Sequence, residues 1–229
     1  MTPAGRRSGD RPPPAEAPPP AGVPPPAGPG GSRYGWFVAF VALLILAYIT
    51  LNTALNSGGG GSRGLSVGDS LPPFAAPLAA GTLNGDADIA RRANQGPAGR
   101  RPACSERGPQ ILNSCQLAER GPVALAFVIS SGGHCERMLD RMAQLHATFP
   151  RVQMAGVIVR GSRGDARSLV LSHRWPFPVG YDRDGAVANL YHVAVCPLLT
   201  LARRGGSVTA TAIGQLGSAE LATRLRTLG

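Results

Sequence analysis

One uncharged stretch, "YGWFVAFVALLILAYITLNTAL" from Tyr34 to Leu55, decides how the rest of the chain can be organised. With a rise of about 1.5 Å per residue, a helix of this length crosses a hydrocarbon core about 30 Å thick. Tyr34 and Trp36 stand at one edge, where aromatic rings favour the interface. A core helix would show a polar face, and this segment has none. A signal peptide would have a shorter apolar run and a small-x-small cleavage site, whose best position is spoiled by Asn52. The segment predicts an uncleaved membrane anchor over residues 34–55. Arg6, Arg7, Arg11 and Arg33 precede it, and Arg63 is the one arginine close behind it. The positive-inside rule then puts the N-terminus in the cytoplasm and residues 56–229 outside, in the cell membrane as a single-pass protein.

The anchor separates three kinds of composition. Residues 1–33 hold most of the Pro-Pro runs and almost no large apolar residues, so they are expected to be a disordered, Pro-rich cytoplasmic tail. Residues 56–64, "NSGGGGSRG", read as a flexible linker. Residues 65–229 carry the apolar periodicity of one folded domain. The formal net charge of +10 suggests nucleic acid, but all 23 basic residues are arginine, scattered without interleaved aromatics or a nucleic-acid motif. No nucleic-acid partner is expected.

All four cysteines, Cys104, Cys115, Cys135 and Cys196, fall on the predicted outer side, where an even count favours disulfides. Four cysteines allow three pairings. Cys104 and Cys115 enclose a short loop, "CSERGPQILNSC", within a segment (81–121) rich in Gly, Pro, Arg and Asn that shows no sustained periodicity. A loop of that length needs a staple, and these two cysteines are predicted to supply a structural disulfide.

The remainder is regular. "LSVGDSLPPFAAPL" predicts a short edge strand ending in a Pro-Pro turn. "VALAFVIS" (123–130) is a continuous apolar run, as for a strand covered on both faces. From Cys135 the apolar residues fall at 135, 138, 139, 142, 145 and 149, the stripe of a helix packed on a sheet. A second buried strand follows at 152–159, a helix at 165–175, a turn at Asp182–Gly185 and a short helix through Tyr191. Two strands joined at Gly205-Gly206 and a last helix capped by Ser218 complete an α/β domain with a mixed sheet.

Three motifs resemble the thioredoxin-like fold in its extracytoplasmic, membrane-anchored redoxin branch. "VGDSLPPF" (67–74) is similar to the pattern V-G-D-x-x-P-x-F. "FVISSGGHC" (127–135) aligns with a strand and turn ending in C-x-x-C. "FPVGYDRDGAVANLYHVAVCPLLTLARRGG" (177–206) is similar to a later stretch of that family. The likeness covers residues 65–229 apart from the 81–121 insertion. It departs at the redox turn, where Gly132 replaces the first cysteine and Cys135 falls on the second. The resemblance implies that Pro197 is a cis-proline beside that turn, and that Cys196 faces it as the missing partner of Cys135. It also implies a substrate groove at Pro197, Gly132 and Gly133, with His134 tuning whichever thiolate forms.

The position of Cys135 at a helix start favours thiolate character, and glycines at 132 and 133 are expected to leave it open. The resulting expectation is a thiol–disulfide redox protein using Cys135, Cys196 and His134, acting on a protein thiol or disulfide partner, with no cofactor and no metal. Two alternatives compete. One is a redox-silent thioredoxin-like binding or assembly module. The other is a one-Cys peroxidase, which lacks the expected hydroxyl because Gly132 stands three residues before Cys135; Ser130 and Ser131 are out of register. His146, His173 and His192 are expected to be ordinary polar residues. Asp182 and Asp184 suggest a turn in preference to a calcium loop, whose other ligands are missing.

Overall fold

A computed structural model describes residues 35–56, 64–95, 99–130 and 134–228. The expectations for residues 1–33, for Tyr34 and for most of the linker therefore lie outside the described residues. The chain divides into two compact units, residues 1–54 and 55–229, each taken here by itself.

In the first unit, α1 (Gly35–Asn56) is 22 residues long with no charge in its first or last turn. Trp36, Phe37, Leu43, Leu44 and Leu46 are all exposed. Thr50 returns its hydroxyl to the helix, donating to Leu46 O at 2.9 Å, so its one polar group is satisfied internally. Side chains of α1 are described only through Thr50. Among the described residues no helix is long and apolar enough to cross a membrane.

The second unit is built on a five-stranded sheet, order β5-β4-β3-β6-β7. Its strands are β3 (Val123–Val128), β4 (Gln153–Val159), β5 (Val179–Asp182), β6 (Leu198–Ala202) and β7 (Val208–Ile213). β3, β4 and β5 run parallel, and β6 and β7 join antiparallel to β3 and to each other. The parallel steps need crossovers. These are α3 (Arg137–His146) between β3 and β4, and α4 (Arg163–His173) between β4 and β5. The short α5 (Ala186–Leu190) precedes β6, and α6 (Ser218–Arg226) follows β7.

β3 explains why its sequence is apolar throughout. Ala124, Ala126 and Val128 pack into one core with Met138, Leu139 and Met142 of α3 and Leu221 and Leu225 of α6. Val123, Leu125 and Phe127, on the opposite face, pack into a second core with Phe74, Leu112, Val187 and Tyr191. Both faces are covered, so period-two alternation never appears as polarity. Gly156 on β4 permits the close approach of α3, since a Cβ there would meet Leu139 at 3.0 Å.

Four expectations need correction. The edge strand does not precede Pro72-Pro73; β1 (Ala75–Pro77) follows them, and Ser70 makes only an isolated bridge to Ser207. Pro72 and Pro73 have no N–H to give a ladder, and the β1–β2 pairing begins at Ala75. The insertion 81–121 is not without structure. It contains a 3-10 turn (Ala103–Ser105), β2 (Ile111–Asn113) paired with β1, and α2 (Ser114–Arg120). Cys135 lies in a turn before α3, which begins at Arg137. Ser218 is inside α6, whose cap is Gly217, with no side-chain cap bond.

Candidate functional site

The C-terminal end of β3 leads through residues 129–136 into α3. Gly132 and Gly133, assigned to a groove by sequence, lie outside the described residues, as does Ser131. His134 adopts a left-handed backbone (φ 53°) and Cys135 follows it. The carbonyls of His134 and Cys135 accept from the amides of Arg137 and Met138, so the turn winds directly into the helix. Glycines before it do not leave Cys135 open: it is 3% exposed and packs with Met138 and Leu139 in the first core.

Opposite stands the loop before β6. The Cys196-Pro197 peptide is cis. Pro197 O accepts from Gly214 N at 2.8 Å, which ties this loop to the end of β7. Cys196 is half-buried. The structure joins Cys135 to Cys196 in a disulfide with Cα atoms 5.7 Å apart, inside the range that a disulfide requires. The second disulfide joins Cys104 to Cys115, with Cα atoms 5.4 Å apart.

His134 points its side chain toward Glu136 in the disulfide form. Its imidazole is exposed and faces Glu136, with Nδ1 3.4 Å from Oε1, and it makes no hydrogen bond to either sulfur among the described residues. The backbone of His134 is what the fold uses. Gln215 Nε2 donates to His134 O at 2.9 Å. Arg141 Nη1 holds Gln215 in turn, donating to its Oε1 at 2.6 Å and to Leu216 O at 2.6 Å. The turn is thus clamped from α3 and from the β7–α6 connection. Sequence reasoning missed Arg141 and Gln215. No local pattern links residues so far apart; only the tertiary fold brings them together.

Several other titratable groups have structural explanations. Asp140, on α3, accepts from His173 Nδ1 at 2.7 Å and Trp175 Nε1 at 2.8 Å, pinning the end of α4. His146 lies against the ring of Phe177, and His192 occupies a left-handed turn. Asp182 is fully buried and caps α5, accepting from Val187 N and Ala188 N. Burial pushes its carboxyl above the ordinary range, and the two amides partly offset this. Among the described residues no group of three His, Cys, Asp or Glu is placed to hold a metal.

A groove of about 470 Å³ opens beside the disulfide. Phe127, Val128, Ala188, Asn189 and the run from Val193 to Cys196 line it. Val159 and Arg160 line it as well. Cys196 lines this groove and Cys135 does not. Val195, immediately before the sulfur, is an exposed apolar residue. A sulfur at the edge of an open, largely apolar groove can meet another protein's sulfur there.

No protein-family model and no curated protein matches the chain. Solved structures do. A Chlorobium tepidum protein, named provisionally as the thiol:disulfide interchange protein DsbE, superposes with a TM-score of 0.54 at 22% identity, over 72% of this chain and 99% of that one. An uncharacterised conserved protein of Geobacillus kaustophilus gives 0.53 at 13% identity, over 71% and 82%. The mixed five-stranded sheet flanked by helices is thioredoxin-like, and these structures share that fold.

Proposed function

We propose that the chain is a thiol–disulfide exchange protein, held outside the cytoplasm by the apolar segment 34–55, that works through the Cys135–Cys196 disulfide. The observation that carries this reading is the disulfide itself, which links the turn before α3 to the Cys196-Pro197 loop at the edge of an open groove. The name given to the Chlorobium tepidum protein supports it. The chemistry needs no cofactor, because two electrons and two protons convert the disulfide to two thiols. In the oxidising direction the same pair accepts electrons from a partner's dithiol.

The test uses the full chain, purified in detergent without reductant. Equilibration in glutathione buffers of graded ratio, followed by alkylation and mass mapping, is expected to show Cys135 and Cys196 opening and closing together while Cys104–Cys115 stays closed. If the two disulfides open only together, or only when the domain unfolds, the redox reading fails and a redox-silent module takes its place.

The anchor rests on sequence. The uncharged 34–55 segment and the arginines before it support an N-terminus in the cytoplasm and an extracytoplasmic domain. A reporter fused after Gly229 is expected to be active only outside the cytoplasm. Activity inside would overturn the orientation and the oxidising compartment together.

A further inference from the structure

The two sulfurs of the disulfide are not equivalent. Cys135 is 3% exposed and sealed against α3. Cys196 is half-buried and forms part of the groove wall. We propose that Cys196 is the sulfur that partner proteins meet, with Cys135 as the buried resolving thiol. We further propose that the groove selects an extended apolar segment carrying an acidic side chain beside its cysteine. This inference rests on the thiol–disulfide reading above. The sequence suggested an open Cys135 at the helix start; its burial moves the accessible sulfur to Cys196.

Exchange requires a thiolate to approach a disulfide sulfur in line with the bond that breaks, so access decides which sulfur is attacked. A partner thiolate reaches Cys196 from the groove. The new bond joins the partner's sulfur to Cys196, and Cys135 leaves as a thiolate that takes a proton. A second thiolate of the partner then attacks the partner sulfur in the mixed disulfide, and Cys196 leaves with the electron pair. The partner ends as a disulfide and this chain as a dithiol, so two electrons have moved. In reverse, the Cys196 thiolate attacks a partner disulfide and Cys135 displaces the partner.

The groove adds a preference. Its surface beside Cys196 is apolar, with Val193 and Val195. Arg160 is its one formally charged lining residue. That side chain is exposed and forms no ion pair among the described residues. An unpaired guanidinium on an apolar rim favours a carboxylate on the incoming segment.

Two measurements test this. In the first, the wild-type chain is fully reduced with a phosphine and pulsed with limiting iodoacetamide, and the label is mapped. Cys196 is expected to be labelled about tenfold faster than Cys135, as access dictates. Equal labelling, or Cys135 first, overturns the assignment. Because the phosphine bypasses the glutathione equilibrium, this result stands apart from success or failure of the redox reading. The second measurement uses Cys135→Ala, which leaves one free thiol and an apolar residue in an apolar site. It is mixed with two thionitrobenzoate-activated peptides that differ only in Glu or Lys beside the cysteine. The Glu peptide is expected to react about fivefold faster at low salt. Arg160→Asn, which tolerates the left-handed backbone at that position (φ 64°), is expected to abolish the difference. A preference that survives this substitution, or none in its absence, overturns the groove assignment.

Discussion

Tyr191→Ala lowers the stability of the second unit by about 3–5 kcal/mol, the range for deleting a large buried aromatic. Tyr191 is fully buried, packed edge-on against Phe74 with centroids 5.7 Å apart and tilted against Phe127 at 4.9 Å. Its hydroxyl donates to Pro72 O at 2.8 Å. The ring therefore ties three elements that are remote in sequence: the Pro72-Pro73 segment, the central strand β3 and the end of α5. The apolar part carries most of the effect. Pro72 O also accepts from Ser114 Oγ at 3.1 Å, so it keeps a partner when the phenol is lost. Tyr191→Phe is accordingly expected to cost only about 0.5–1.5 kcal/mol. Burial also raises the phenol's pKa far above its ordinary value, so the hydroxyl remains a donor throughout the working range. Chemical denaturation of the full chain in detergent, monitored in the near ultraviolet, separates the two variants. If Tyr191→Ala costs no more than Tyr191→Phe, the ring is not the pin described.

The sequence revealed those parts of the fold whose signal is local. The continuous apolar run at β3, the i, i+3, i+4 stripe of α3 and the Gly205-Gly206 hairpin each report their own burial, and the alternation of strands with helices fixes the class. The insertion was illegible because its signals are short and polar. β2 has only three residues, and α2 announces itself through one cap, Asn113, whose side chain accepts from Gln116 N. That Asn-x-x-Gln start was present in "NSCQ" but fell below the length at which periodicity speaks. At the site, the identity of the sulfurs was legible and their exposure was not. Glycine at 132 and 133 suggested an open Cys135, yet exposure depends on what the helix packs against. Met138 and Leu139 draw Cys135 into the core, while Cys196 sits on a loop whose position is set by β6 and β7. The clamp of Arg141 and Gln215 exists only in three dimensions.

Replacing Cys104 and Cys115 together by serine lowers stability by about 3 kcal/mol and leaves exchange at Cys135–Cys196 intact. The sequence separation is 11, and in the chain-entropy description a closed loop of about that size removes roughly 3 kcal/mol of unfolded-state freedom. For a domain of this size that corresponds to a fall in Tm of about 6–12 °C. Local ties in the folded state soften no part of this, because the effect acts on the unfolded chain. They do predict that the loop keeps its place when the bond is gone. Arg107 reaches Glu119 through a two-pronged ion pair that holds the Glu119 carboxyl below its usual range, and it also donates to Cys104 O at 3.0 Å. Asn113 Nδ2 donates to Ala103 O at 2.7 Å and to Glu106 O at 2.9 Å. With both ends of the loop held in this way, β1 and β2 should stay paired and the groove should keep its shape. The double-serine chain is therefore expected to melt earlier while its Cys135–Cys196 pair titrates with glutathione as in the wild type. Unchanged melting with lost exchange would reverse the two assignments, making Cys104 and Cys115 part of the redox path and leaving the buried Cys135–Cys196 bond as the staple.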